Sequence, residues 1–212
     1  MKKLTRLGLD PATTCEHVLP MYVRLAASLI IAAAIGTVLT SVPVPVRAEL
    51  DLQKNDRLIE AVKADDLTAG ESLLIQKHNV DVREQDGRTP LFIAAARGLE
   101  DFVELLIRHE AKIDAVDNFG NSPIYYAAIG DHVGVVEILL EGGANVNLQN
   151  RRGMTPLMMA ASDGHLATVQ ALIDAKADPS LTDFTGRTAW EWAQRSNRSH
   201  VLRYLKSAGI HR

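Results

Sequence analysis

One stretch of the chain, Asp86–Gly98, returns in recognisable form three more times, each time after 33 residues. It reads DGRTPLFIAAARG, and its glycine, hydroxyl residue, proline and paired alanines recur at 120–128 and 153–161, and more weakly at 186–193. Self-similarity at a period of about 20–50 residues is typical of repeat proteins, in which each unit stacks on the next. The period therefore predicts a solenoid built from short units that share their core.

Residue types that start helices, pack them and end them recur in phase within these units. A hydroxyl residue can cap the first helix, and the proline after it is harmless because the first helical N–H has no partner. Paired alanines keep this helix thin, and a second helix carries an apolar stripe. Gly98 and Gly164 predict left-handed helix ends, whereas Asp131 stands where the pattern expects glycine and is the main predicted defect. The predicted caps are Thr89, Ser122, Thr155 and Thr188.

The pattern G-x-T-P-L-x-x-A-A resembles the ankyrin repeat over 52–212, most strongly over 85–183. The resemblance implies an all-α solenoid of paired antiparallel helices with β-turn fingers, in about five repeats that include two caps. A chain that is 47% hydrophobic but only 5% aromatic suits such packed helices, because its core must be aliphatic. The expected repeats lie near 52–84, 85–117, 118–150, 151–183 and 184–212.

The first 48 residues predict a secretory signal peptide. Basic residues up to Arg24 precede an uncharged run, Leu25–Val42, and the letters VRA end at Ala48, as a signal peptidase site requires. Cleavage before Glu49 would leave an exported domain over 49–212, and the periplasm is its expected location. Two alternatives stay open: Leu25–Val42 approaches the length of a membrane span and would serve as an inner-membrane anchor, and Met21 would serve as the true start.

The sequence contains no motif that predicts catalysis, and neither a cofactor nor a metal site is expected. Zinc-protease, nucleotide-loop and nucleophile-elbow patterns are missing. Cys15, the only cysteine, lies in the leader, so the mature part lacks disulfides and thiol chemistry. His132 and His165 are one repeat apart, about 10 Å, which is too far for one metal ion. Turn hydrogen bonds, in preference to calcium binding, are expected from Glu84, Asp117, Asn150 and Asp183.

The resemblance also implies a protein-binding surface on the fingers and the inner face of the first helices. These positions are rich in arginine and aromatic residues, which dominate interface hot spots. Phe119, Met154 and Phe184 are expected to be exposed at finger tips, whereas partial burial between repeats is the alternative for Tyr126. The predicted protein-binding residues are Arg88, Arg97, Phe119, Asn121, Tyr126, Arg151, Arg152, Met154, Asp163, Phe184 and Arg187.

Charge is distributed unevenly along the chain. Residues 184–212 carry six basic residues and one acidic residue, whereas 49–183 carry 12 basic and 23 acidic residues. The basic residues of 184–212 predict docking of an acidic partner protein, of anionic lipid or of the acidic region 49–183 of another copy. A solvated cap without a partner is the alternative. Nucleic acid is not expected as a partner of an acidic body. The main hypothesis is an exported, non-catalytic adaptor that binds a partner protein; a membrane-tethered structural module is the rival.

Overall fold

The computed structural model describes residues 57–211, which form helices joined by turns, without a β-strand in that range. The predicted signal peptide, with its cleavage site at Ala48 and Glu49, lies outside the described residues. No helix among those described combines the length and the apolar character needed to cross a membrane. The helices are α1 (57–64), α2 (Leu67–Ile75), α3 (Pro90–Arg97), α4 (Glu100–Arg108), α5 (Pro123–Ile129), α6 (Val133–Glu141), α7 (Pro156–Asp163), α8 (Leu166–Asp174), α9 (Ala189–Arg195) and α10 (Ser199–Ser207).

The helices pack in two layers, and the contacts of each layer follow the order of the chain. Inner helices α3, α5, α7 and α9 pack successively on one another, and outer helices α2, α4, α6, α8 and α10 do the same. Each of these inner helices also packs on the outer helix that follows it. The predicted all-α solenoid of helix pairs is therefore confirmed.

The inner helices begin where the sequence predicts. The side-chain oxygens of Thr89, Ser122 and Thr155 each accept a hydrogen bond from the backbone N–H three residues later, at 3.2–3.4 Å. Thr188 does the same for the N–H of Glu191 at 3.4 Å, and the Glu191 carboxylate accepts from the Thr188 N–H at 2.8 Å. These two bonds form a capping box, which fixes the start of α9 in the one of these four units whose cap is not followed by proline.

The core lies between the two layers and repeats with the sequence period. The paired alanines of α3, α5 and α7 are fully buried, so neighbouring inner helices approach closely. Facing them, one fully buried leucine recurs in each of the last four outer helices. These leucines are Leu106, Leu139, Leu172 and Leu205.

The turn between the two helices of each unit needs one residue with left-handed backbone. Gly98 (φ 73°) and Gly164 (φ 90°) supply it in two units, as predicted. Asp131 adopts the same conformation (φ 56°), as Asp65 and Asn197 do in the outermost units, so the expectation of a defect at Asp131 is wrong. Asp and Asn tolerate this region better than most residues do. The Asp131 carboxylate also accepts a hydrogen bond of 2.7 Å from Thr168, whose side chain is fully buried.

A second left-handed position follows each outer helix, and there the chain uses less suitable residues. Gly143 and Gly209 occupy it in two units, but Lys77, Glu110 and Lys176 occupy it in the others, with φ of 59–66°. Left-handed backbone costs an ordinary L-residue about 1–2 kcal/mol.

We therefore expect Glu110→Gly to raise the free energy of unfolding by about 0.5–1 kcal/mol, after the extra entropy of glycine in the unfolded chain is subtracted. Urea denaturation followed by circular dichroism measures this change. Glu104→Gly, an exposed position inside α4, is the matched control and should instead lower stability by about 1 kcal/mol. Equal destabilisation by both variants would contradict the strain assigned to residue 110.

Candidate functional site

The loops that lead into the inner helices form fingers, each built around one turn residue. The carboxylate of Asp117 accepts hydrogen bonds from the N–H groups of Phe119 (2.8 Å) and Asn121 (2.9 Å). Asn150 and Asp183 make the equivalent pairs of bonds in the next two fingers. The predicted turn role of these three residues is confirmed. Glu84 differs, because its carboxylate forms an ion pair of 2.6 Å with Lys63.

Neighbouring fingers are joined at their tips by main-chain hydrogen bonds. The N–H of Asn118 donates to the carbonyl oxygen of Asp86 at 2.9 Å. One finger further on, the N–H of Arg151 donates to the carbonyl of Phe119 at 3.1 Å, and the N–H of Phe184 donates to the carbonyl of Arg152 at 3.1 Å. These bonds hold side chains of successive finger tips in a fixed row.

A cleft of about 370 Å³ opens between two of these fingers, above the start of α5. Phe119 stands at its edge with 64% of its surface exposed, and Arg151 and Arg152 are exposed on the neighbouring finger. Five of the predicted binding residues therefore meet in one place, together with Asn150. The lining residues are Phe119, Asn121, Tyr126, Asn150, Arg151 and Arg152.

The floor of this cleft is a chain of buried polar groups. Asn121 donates from its amide to the Asp117 carboxylate at 3.0 Å, and Asn150 donates to the Asn121 amide oxygen at 2.8 Å. All three side chains are at most 6% exposed. Asn121 was predicted as a contact residue at a finger tip, but its side chain is occupied in holding one finger to the next.

Met154 corrects the sequence prediction more strongly. It was expected to be exposed at a finger tip, yet it is 4% exposed and belongs to the hydrophobic core. Arg88, Asn121, Met154 and Arg187 share one position in successive units, between the turn glycine and the helix cap. All four are buried or half-buried, so the body of the solenoid covers this position at least in part.

The two arginines at that position lie over aromatic rings of the inner helices. The Arg88 guanidinium lies 5.6 Å from the centre of the Phe92 ring and pairs with Asp86, with Nε to Oδ2 at 2.8 Å. The Arg187 guanidinium lies 5.5 Å from the Trp192 ring. Both therefore have partners within the fold that stabilise one fixed orientation.

Of the three remaining predicted residues, Phe184 is 76% exposed on its finger, whereas Arg97 and Asp163 lie at the ends of inner helices. Arg97 donates from its guanidinium to the carbonyl oxygens of Val62 (2.8 Å) and Lys63 (2.6 Å) at the end of α1. Its role within the fold is therefore to join the first two units. Asp163 is half-buried in the last turn of α7.

Aromatic side chains form the wall of the cleft. Tyr126 is half-buried, which was the alternative that the sequence left open, and its ring lies 4.6 Å from that of Phe92 and 5.8 Å from that of Tyr125. Burial raises the pKa of the Tyr125 hydroxyl above its usual value, and the nearby Arg152 guanidinium partly opposes that shift. Arg152 therefore contributes positive potential at the cleft without being neutralised by this phenol.

His132 and His165, which are too far apart to share a metal ion, each contact a main-chain carbonyl of the preceding unit. The Nε2 atom of His132 lies 3.3 Å from the Ala96 carbonyl, and that of His165 lies 2.9 Å from the Ile129 carbonyl. His200, which the sequence reading did not single out, repeats the contact with Gly164 at 2.7 Å. Within residues 57–211 no three His, Cys, Asp or Glu side chains are grouped as metal ligands.

A second cleft, of about 450 Å³, lies at the turns between the helices of the first two units. Asp65, Glu100 and Asp101 give it an acidic lining. It was not predicted, because its residues come together only when the first two units stack.

A family model for ankyrin repeats (3 copies) matches residues 58–150 and 132–211. No curated protein matches the chain significantly.

The finger turns make stability depend on pH through Asp183. Burial alone would raise the pKa of its carboxyl group, but hydrogen bonds from Thr185, the Arg187 N–H and Trp192 outweigh burial and lower the pKa. A lowered folded-state pKa adds stability above the unfolded value of about 3.9, and that stability is lost as pH falls through the folded value. We expect Asp183→Asn to reduce the free energy of unfolding at pH 7 by about 1–2 kcal/mol. This difference between the variant and the unmodified protein should disappear below about pH 4.

Urea denaturation at neutral and acidic pH measures that difference. Asp174→Asn, at an exposed position in α8, is the matched control and should change the free energy of unfolding at pH 7 by less than about 0.5 kcal/mol. If the loss of stability caused by Asp183→Asn stayed constant from neutral pH to below the carboxyl pKa, the hydrogen bonds of Asp183 would not depend on its charge.

Proposed function

The chain belongs to the ankyrin-repeat family, and from that premise we propose that it is an exported, non-catalytic adaptor that binds a partner protein. Ankyrin repeats generally mediate protein–protein interactions. The proposed contact surface is the finger cleft with its exposed rim, where Phe119, Tyr126, Arg151 and Arg152 meet. The polar groups of its floor bond to one another, so they hold the finger tips in position.

The observation that carries this proposal is the exposure of Phe119 beside two arginines. A phenylalanine that is 64% exposed contributes little to the core, and with Tyr126 it gives the cleft an apolar surface that the two arginines border. Arginine and aromatic side chains supply much of the energy of protein interfaces. Phe119 is fixed by the hydrogen bonds of its finger, which lowers the entropy cost of binding.

The proposed partner is a protein with an acidic surface, and nucleic acid is not proposed. Self-association is the alternative, through Arg195, Arg203 and Lys206, which are exposed in the basic C-terminal unit. Arg198 in the same unit is engaged within the fold, because its Nε donates to the Ser162 carbonyl at 2.9 Å. The cleft remains the better candidate because it combines positive charge with an exposed ring.

Export follows from the predicted leader, and the proposed location is the periplasm. We expect mass spectrometry of the protein from its natural cell to find a mature N-terminus at Glu49. An intact leader in the membrane fraction would instead favour the rival module, anchored in the inner membrane by Leu25–Val42.

For the binding surface, we expect Phe119→Ala combined with Arg152→Glu to reduce partner capture by at least about tenfold, since an apolar contact and a favourable charge are both lost. Affinity capture from a periplasmic extract with the mature domain measures this effect, and circular dichroism should show unchanged helix content.

Ile75→Ala combined with Arg108→Glu is the matched control. Both residues are exposed on outer helices, so this variant should capture the partner as well as the unmodified protein does. Undiminished capture by the cleft variant would place the interface elsewhere on the solenoid.

A further inference from the structure

Four exposed residues extend the cleft into a continuous row across three consecutive fingers. We use the name finger stripe for Phe119, Arg151, Arg152 and Phe184. Phe119 and Phe184 are 64% and 76% exposed and stand on the outer two fingers, with both arginines on the finger between them. The main-chain bonds of 3.1 Å that join Phe119 to Arg151 and Arg152 to Phe184 fix this order.

The turn glycines allow the stripe to be continuous. A Cβ atom at Gly120 would lie 3.1 Å from Cγ of Arg151, and one at Gly153 would lie 2.8 Å from Cδ1 of Phe184. Each of these side chains therefore lies back over the turn of the preceding finger. Because these two side chains extend from one finger onto the next, one elongated ligand can contact all four residues.

The stripe is positive within an acidic part of the chain. Arg151 and Arg152 are the only lysines or arginines between residues 113 and 175, a span that contains seven Asp or Glu residues. Neither arginine forms an ion pair with a carboxylate in the described part of the chain. Two unneutralised cations between two exposed rings are complementary to carboxylates flanked by apolar groups.

The length of the stripe limits the shape of its ligand. Packed helices are about 8–10 Å apart, so two repeat steps separate Phe119 from Phe184 by about 16–20 Å. An extended peptide rises about 3.3 Å per residue and covers that distance in five or six residues. The cleft beside Phe119, at about 370 Å³, lies near the lower end of the range for ligand pockets and holds one or two side chains.

We propose that the finger stripe binds an extended, acidic segment of a partner protein, about six residues long, with an apolar side chain at each end and carboxylates between them. One apolar side chain enters the cleft beside Phe119, and the other packs on Phe184. The carboxylates lie against Arg151 and Arg152. This proposal rests on the adaptor function above and adds to it the chemistry and the conformation of the partner's contact segment.

The test is photo-crosslinking of the full-length protein in the cells that produce it. The crosslinking residue p-benzoylphenylalanine replaces Phe119 in one variant and Phe184 in a second, and both are conservative changes at exposed rings. Ile75, 68% exposed on outer helix α2, is replaced in a third variant as the control. Mass spectrometry then locates each crosslink in the partner's sequence.

We expect positions 119 and 184 to crosslink to the same short segment, with attachment points about five or six residues apart and Asp or Glu between them. Position 75 should give at least about tenfold less of that product. Attachment to distant parts of the partner's sequence, to a segment without acidic residues, or to a second copy of this chain would each overturn the proposal.

Arginine variants test the charge contribution separately. Arg151→Glu with Arg152→Glu should lower the crosslink yield from position 119 by at least about tenfold, because like charges then face each other, whereas Arg151→Lys with Arg152→Lys should retain most of it. An undiminished yield from the glutamate variant would overturn the proposal. If the unmodified protein captures a partner but positions 119 and 184 form no crosslink to it, the stripe proposal fails and the adaptor function stands; if it captures none, the adaptor function itself fails.

Discussion

Each helix pair of this protein can bury its apolar face only against the next pair, and the rest of the structure depends on that constraint. Shared burial requires neighbouring inner helices to approach closely, which explains the fully buried Ala94, Ala95, Ala127 and Ala128. It also requires every unit to turn at the same place. Left-handed residues therefore recur at intervals of 33, even where Asp65, Asp131 or Asn197 must adopt that backbone in place of glycine.

The same constraint places the candidate site. Stacked units bring equivalent finger positions side by side, so a site forms from residues that are far apart in sequence. Asn121 and Asn150, bonded at 2.8 Å, belong to neighbouring fingers and together hold the floor of the cleft. Side chains at the solvent-facing positions of the same fingers are left exposed by this stacking. Phe119, Arg151 and Arg152 occupy such positions, so much of their surface is available to a partner.

Features that depend on residues close together along the chain, such as helix caps, could be predicted from the sequence. Features that depend on contacts between units, such as the exposure of finger residues, could not. The Thr89 cap was predictable because its oxygen bonds an N–H only three residues away. Met154 and Phe119 were both read as finger-tip residues, yet one is 4% and the other 64% exposed. Their difference depends on which side of the finger meets the neighbouring unit, and a local pattern does not contain that information. Asp131 keeps the turn that the pattern assigns to glycine, because aspartate tolerates left-handed backbone better than most residues do.

The acidic body gives the two cleft arginines a significance beyond their direct contacts. Residues 49–183 carry 23 acidic and 12 basic residues, so most of this surface repels an acidic segment. An acidic segment is attracted at Arg151 and Arg152 and repelled elsewhere on this surface. Both effects increase specificity, which is the difference in binding free energy between the correct site and the other sites. Such a field also orients a charged segment before contact and speeds productive encounter. The scarcity of cations around the cleft therefore favours a single binding mode, which two arginines on a uniformly basic surface would not provide.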